Sequence, residues 1–202
     1  AFGAKEDRVI EVVFNTSMVG YQEIVSDPSY TFQGVVMTYP LIGNYGINND
    51  DDETRTPTLG ALIVSEYNDE PSNFRSAMTL SEKLERYGIP GISGVDTRKL
   101  TRSIRDHGSR RGIITTPDVS REEGVKRILA AETRKDAVPL VSTKKAWRSP
   151  VSNPKFRVAA VDCGIKLNIV RSLNRCGCDV TVFPCTVTAA EIEKFKPDGV
   201  FL

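Results

Sequence analysis

Phe156-Arg-Val-Ala-Ala-Val-Asp162, followed by Cys163-Gly164 and the run Ile165 to Arg175, is the stretch on which the fold turns. The first seven residues are a compact apolar strand, and Cys163-Gly164 makes the turn out of it. Ile165, Ile169 and Leu173 then recur every fourth residue, which predicts one face of a helix closed by Gly177. Asp179 to Phe183 reads as a second strand. Thr188 to Phe195 reads as a second helix, capped by Thr186 or Thr188, with Ile192 and Phe195 as its inner face. Lys196-Pro-Asp-Gly199 turns the chain into a third strand, Val200-Phe-Leu202. This is βαβαβ spacing, for which parallel strands and right-handed crossovers are the rule. So few strands with an exposed last edge make an unfinished sheet, and the sheet is expected to continue past Leu202. Open parallel sheets carry their chemistry beyond the carboxyl ends of the strands, so the active-site loop is expected there too.

Upstream the pattern is different. Arg8 to Asn15, Gly34 to Tyr39, Gly60 to Tyr67 and Gly112 to Thr116 read as strands, while Tyr21 to Val25 is ambiguous. Helices are predicted from Leu80 to Tyr87, with Thr79 or Ser81 as cap, from Asp96 to His107, and from Ser120 to about Ala131 with Val125, Ile128 and Leu129 on one face. The polar stretch 141–155, with Pro150 and Pro154, reads as a linker. The expectation is therefore an α+β domain over 1–150, linker included, in which a small sheet buries the inner faces of its helices. It is followed over 151–202 by the first βαβαβ portion of an α/β parallel-sheet domain.

Composition narrows the function classes. The 202 residues are 40% hydrophobic and 26% charged, with a net charge of +1. No global field favours nucleic acid, a membrane surface or an anionic partner, and no apolar run reaches the length of a membrane span. The opening Ala1-Phe-Gly-Ala-Lys-Glu-Asp-Arg8 lacks the apolar core of a secretory signal. It also lacks an initiating Met, so further residues are expected before Ala1. All four cysteines, Cys163, Cys176, Cys178 and Cys185, fall in the last part of the chain, too sparse for a disulfide scaffold. A reduced, cytoplasmic setting follows.

Several residues invite a functional reading and a plainer one. Cys176-Gly-Cys178 has the look of a redox pair or half a metal site; with one His and no second pair at zinc spacing, two small residues around a helix-stop glycine is the preferred reading. Asn48-Asn-Asp-Asp-Asp-Glu53 lacks the interleaved ligands of a calcium loop and reads as a solvated loop. No metal site is expected. His107 sits in the last turn of its helix, where a cation complements the dipole, and reads as structural. Asp162-Cys-Gly-Ile-Lys166 contains neither a G-x-G-x-x-G nor a P-loop pattern. Cys163, between strand and helix, is physically allowed as a nucleophile but has no His partner in its neighbourhood. The helix and its exit over 96–111 carry Arg98, Lys99, Arg102, Arg105, Arg110 and Arg111 against Asp106 alone. That cluster is either a solvated face or a docking surface for an acidic partner; without interleaved aromatics it does not suit nucleic acid.

A family resemblance then comes from five stretches in order. Glu11-Val-Val-Phe-Asn-Thr-Ser-Met-Val-Gly-Tyr-Gln-Glu-Ile-Val-Ser-Asp-Pro-Ser-Tyr30 resembles the N-terminal signature of the small, glutamine-hydrolysing subunit of carbamoyl-phosphate synthetase. Met37-Thr-Tyr-Pro-Leu-Ile-Gly-Asn-Tyr-Gly46, Ser72-Asn-Phe-Arg75, Gly94-Val-Asp-Thr-Arg-Lys-Leu-Thr-Arg102 and Val161-Asp-Cys-Gly-Ile-Lys166 are similar to it as well. The resemblance implies a small-subunit N-terminal domain followed by the start of a class I glutamine amidotransferase domain. It implies glutamine as substrate, hydrolysed by a Cys nucleophile with a His base and a backbone oxyanion site. It also implies a large subunit as partner, to which the ammonia passes and on which ATP and Mg act. Neither the nucleophile nor the His is in this chain, and Cys163 does not stand where the family places its nucleophile. The one residue carried over is Ser29, of the Asp-Pro-Ser-Tyr element, as a contact to the substrate glutamine. Arginine and pyrimidine synthesis are both open as the pathway served.

Overall fold

The computed structural model describes residues 1–132 and 134–202, and these fall into two compact units, Ala1–Arg134 and Lys135–Leu202. The first unit begins with β1 (Phe2–Gly3) and β2 (Arg8–Asn15), then α1 (Tyr21–Ser26) and a 3₁₀ turn, Pro28–Tyr30. Next come β3 (Gln33–Met37), β4 (Leu41–Ile42), β5 (Ala61–Ile63), β6 (Glu66–Tyr67), α2 (Leu80–Arg86) and β7 (Pro90–Ile92). It finishes with α3 (Thr97–His107), β8 (Arg110–Ile114) and α4 (Arg121–Ala130). Its sheet has six strands in the order β1-β7-β5-β3-β2-β8. The inner pairs β2/β3, β3/β5 and β5/β7 are parallel, whereas β1 and β8 close the two edges antiparallel. The small sheet expected from the sequence is thus a broad mixed one.

Both faces of this sheet are covered, which is why β3 reads as an unbroken apolar run rather than an alternation. Val35 and Met37 pack on one side with Tyr21, Ile24 and Val25 of α1 and Leu80 and Leu84 of α2. Val36 packs on the other side with Ile10, Ile63 and Ile104 of α3. Gly34 permits the close approach of β2 and β3: a Cβ there would lie 2.1 Å from Ile10 Cδ1. Helix α2 starts on a full capping box, in which Thr79 Oγ1 accepts from Glu82 N and Glu82 accepts from Thr79 N. Asp96 caps α3, as the sequence predicts, by accepting from Lys99 N.

Two local expectations differ from the structure, and one open reading is resolved by it. The run 60–67 is two strands, because the chain leaves the main sheet after Ile63 and pairs through Leu41↔Glu66 and Ile42↔Tyr67 with β4. The ambiguous 21–25 segment is helical, since Tyr21, Ile24 and Val25 are buried together on the sheet. On α4 the expected inner face holds only in part: Ile128 is half-buried, Val125 and Leu129 are exposed, and Gly124 is the buried residue, close to Ile113 of β8.

The second unit holds α5 (Ala137–Val141), β9 (Trp147–Ser149), β10 (Phe156–Asp162), α6 (Leu167–Arg175), β11 (Cys178–Pro184), α7 (Ala189–Phe195) and β12 (Gly199–Phe201). Its sheet order is β12-β10-β11-β9, with β10 parallel to both β11 and β12. Within the stretch expected as a linker, Trp147–Ser149 instead adds an antiparallel edge strand to β11. Trp147 packs on the core formed by Val158, Ala160, Val170, Val180 and Val182, and that burial holds the strand in place. Among the described residues no helix is long and apolar enough to cross a membrane.

Candidate functional site

The Asp27–Thr31 strap presents Ser29. Asp27 Oδ1 accepts from Ser29 N at 2.9 Å, and Thr31 Oγ1 donates to Pro28 O at 2.7 Å. Tyr30 OH accepts from Asn15 Nδ2 at 3.0 Å, tying the strap to the end of β2. Thr31 and Thr58 share a 2.6 Å hydroxyl contact on the far side. These bonds are the local chemistry of Asp-Pro turns: the carboxylate satisfies a backbone N–H and the proline presets φ. Ser29 is exposed at the apex, and its hydroxyl makes no hydrogen bond among the described residues. It is an outward donor and acceptor on a tightly held loop.

Behind the strap the acidic run is a structural clip rather than the solvated loop expected. Lys83 Nζ lies 2.5 Å from both carboxylate oxygens of Asp52, and Gln22 Nε2 donates to Asp52 Oδ1 and Asn48 O at 2.8 Å. Ser26 Oγ accepts from Glu53 N at 2.9 Å. Arg75 lies 3.3 Å from Asp51 and 3.4 Å from Asp50. Glu23 shares this neighbourhood. Its burial, and then the charges of Asp51, Glu53 and Asp52, raise its carboxyl above the usual range. Among the described residues no cluster of three or more His, Cys, Asp or Glu is arranged for a metal ion.

In the second unit the carboxyl ends of β10 and β11 meet the turn Ser142-Thr143. The buried Asp162 accepts from Thr143 N at 2.7 Å and from Gly164 N and Ile165 N at 2.9 Å. It thereby fixes the loop into α6, a role not foreseen from the sequence, although an Asp two residues before a glycine at a strand end is the signal for it. Cys163 is exposed. The chain's one His, His107, belongs to the first unit, where Nδ1 donates to Ser103 O at 3.0 Å. The residues of the second unit therefore hold a thiol without an imidazole base.

A cleft of about 600 Å³ opens at the opposite, amino ends of these strands, lined by Arg148, Lys155, Arg157, Asp179 and Phe195 among others. Its lining is internally paired: Arg148 Nε donates to Asp179 Oδ1 at 2.8 Å, and the hydrogen bond from Arg148 holds the Asp179 carboxyl below its usual range. The Arg157 guanidinium lies 5.6 Å from the Phe195 ring centroid.

On α3, Arg98, Lys99, Arg102 and Arg105 are all exposed, and Arg110 and Arg111 extend the cluster. Arg105 is paired with Asp106, Nε to Oδ1 at 2.8 Å, and Arg111 donates to Ala131 O. Arg98, Lys99, Arg102 and Arg110 make no ion pair among the described residues.

Comparison with known proteins bears on the whole chain. The family described as carbamoyl-phosphate synthase small chain, CPSase domain, matches residues 1–114. The carbamoyl phosphate synthase pyrimidine-specific small chain of Bacillus subtilis is 50% identical over 202 residues, which are 100% of this chain and 55% of that protein. The small chain of Bacillus caldolyticus is 50% identical over 201 residues, with the same shares. That of Fusobacterium nucleatum is 49% identical over 202 residues, 100% of this chain and 56% of its own. The chain thus spans about half the length of the curated relatives it matches. With its five ordered motifs and the strap that carries Ser29, the chain belongs to the carbamoyl-phosphate synthase small chain family.

Proposed function

We propose that this chain is the amino-terminal part of a small subunit that hydrolyses glutamine and passes the ammonia to a large synthase subunit, where ATP and Mg act in making carbamoyl phosphate. The observation that carries the reading is the identity of about half the residues over the chain's entire length with small chains of that synthase. Ser29 is the proposed contact to the glutamine amide. A free hydroxyl on a rigid, exposed strap suits a polar substrate presented by a neighbouring domain. The cytoplasm is the proposed compartment, and the carboxyl edge of β10–β12 is the proposed start of the amidotransferase site.

The 202 residues supply a thiol but no paired base, so residues 1–202 alone are proposed to be inactive towards glutamine. The test is ammonia release from glutamine by the purified chain, alone and with a large subunit added. The expected result is binding without hydrolysis. Robust turnover that disappears in Cys163→Ala would reject the reading and make Cys163 a nucleophile.

A second reading is supported by four exposed cations on α3 and β8 that make no ion pair among the described residues. In it the first unit is a non-catalytic docking module for an acidic protein surface. The two readings are compatible, because a small subunit must hold its partner.

A further inference from the structure

We propose that Cys163 and Cys185 form a dithiol–disulfide pair at the carboxyl edge of the second sheet. Two independent sets of contacts bring them together. The first is register. Strands β10 and β11 pair in parallel up to Asp162↔Pro184, and each cysteine is the first residue beyond its strand. Cys163 stands in the bend after β10, where its N donates to Val161 O at 3.2 Å, and Cys185 stands in the turn after β11. Registered residues on neighbouring strands lie about 4.8 Å apart, within the roughly 4.4–6.8 Å that Cα atoms of a disulfide span.

The second is a shared clasp. Thr143 N donates to Asp162 Oδ2 at 2.7 Å, and Cys185 N donates to Ser142 Oγ at 2.9 Å. Adjacent residues of one turn therefore hold the residue before Cys163 and Cys185 itself. One turn thus clasps the ends of both strands.

Access suits the chemistry. All four cysteines are free thiols; Cys163 is exposed, Cys185 half-buried and Cys178 buried. The proposed co-reactant is a small disulfide such as oxidised glutathione. The Cys163 thiolate attacks one of its sulfurs and releases one glutathione thiolate, leaving a mixed disulfide. The Cys185 thiolate then attacks Cys163 Sγ and releases the second glutathione. The protein loses two protons and two electrons, and the oxidant becomes two thiols. The bond ties the loop into α6 to the loop into α7.

The test is incubation of the 202-residue chain with oxidised glutathione, alkylation of the remaining thiols, intact mass and peptide mapping. The expected result is the loss of two hydrogens, a fall from four free thiols to two, and a Cys163–Cys185 link. In Cys185→Ser a single glutathione adduct should persist on Cys163, whereas Cys176→Ser should form the link as the wild type does. Persistence of all four thiols, adducts without a bridge, or a bridge through Cys176 or Cys178 would overturn the proposal. The wild-type map decides it even if a variant folds poorly.

Discussion

Lys83 Nζ sits 2.5 Å from both carboxylate oxygens of Asp52, joining α2 to the loop after β4. The two ends differ in exposure: the Lys83 side chain is 5% exposed and that of Asp52 29%. A buried ammonium without its counter-ion is costly, whereas a carboxylate near water can be solvated. Asp52→Ala is therefore expected to cost about 3 kcal/mol and Lys83→Met nearer about 1 kcal/mol. Urea titration of both variants checks this, and equal costs would show that the clip is worth no more than a surface pair.

Leu84 and Leu129 give a second contrast on two helices. Leu84 is fully buried against the sheet, while Leu129 is 78% exposed on α4. Leu84→Ala is expected to cost about 2–5 kcal/mol through lost burial and a residual cavity. Leu129→Ala should stay within about 0.5 kcal/mol. The apolar spacing of Val125 and Leu129 would make the two costs comparable if α4 buried that face.

Glu23 carries a pH dependence whose sign follows from its raised carboxyl. The folded state binds its proton more tightly than the unfolded chain, whose Glu titrates near 4.5. Stability from this group is therefore complete below that value, and it falls as pH rises towards the folded-state value. Glu23→Gln removes the titration. Thermal midpoints from pH 3 to 7, on the order of the range in which carboxyls titrate, should show the variant gaining on the wild type as pH rises. A constant difference would mean that Glu23 titrates alike in both states.

Arg102 and Arg105 test the basic surface. Both are exposed, and neither supports the core, so Arg102→Glu with Arg105→Glu should leave stability within about 0.5 kcal/mol. Binding to a large subunit is expected to weaken about tenfold or more at low salt, with a smaller loss at high salt as screening shortens the reach of charge. Unchanged binding at both salt concentrations removes this surface from the docking reading.

Ser29→Ala separates substrate contact from folding. Its hydroxyl makes no hydrogen bond among the described residues, so the substitution should leave the fold's stability within about 0.5 kcal/mol. In a small subunit complete with its amidotransferase domain, the KM for glutamine should rise. A loss of stability with unchanged KM would make Ser29 a turn residue only.

Much of the architecture was legible locally. The order of β10, α6, β11, α7 and β12 follows from strand and helix periods, and the cap residues Thr79, Asp96, Ser120 and Thr188 all accept the backbone bonds their types predict. These signals depend on neighbours within a few residues, so a linear reading captures them. The helix over 21–26, the departure of β6 to pair with β4, and the strand inside 141–155 were not legible. Each is stabilised by partners far along the chain: Tyr21 by Gly46, Glu66 by Leu41, Trp147 by Val182.

The candidate site divides the same way. The sequence by itself determined the family signature, the Asp-Pro-Ser-Tyr turn around Ser29 and the absence of a histidine from residues 135–202, because these rest on residue identity and short-range geometry. Tertiary structure alone decided that the acidic run is a clip around Lys83 and that α4 leaves Leu129 in solvent. It alone brought the turn Ser142-Thr143 onto the ends of β10 and β11. Burial and pairing are properties of surfaces brought together from distant segments, and no local period encodes which surfaces meet.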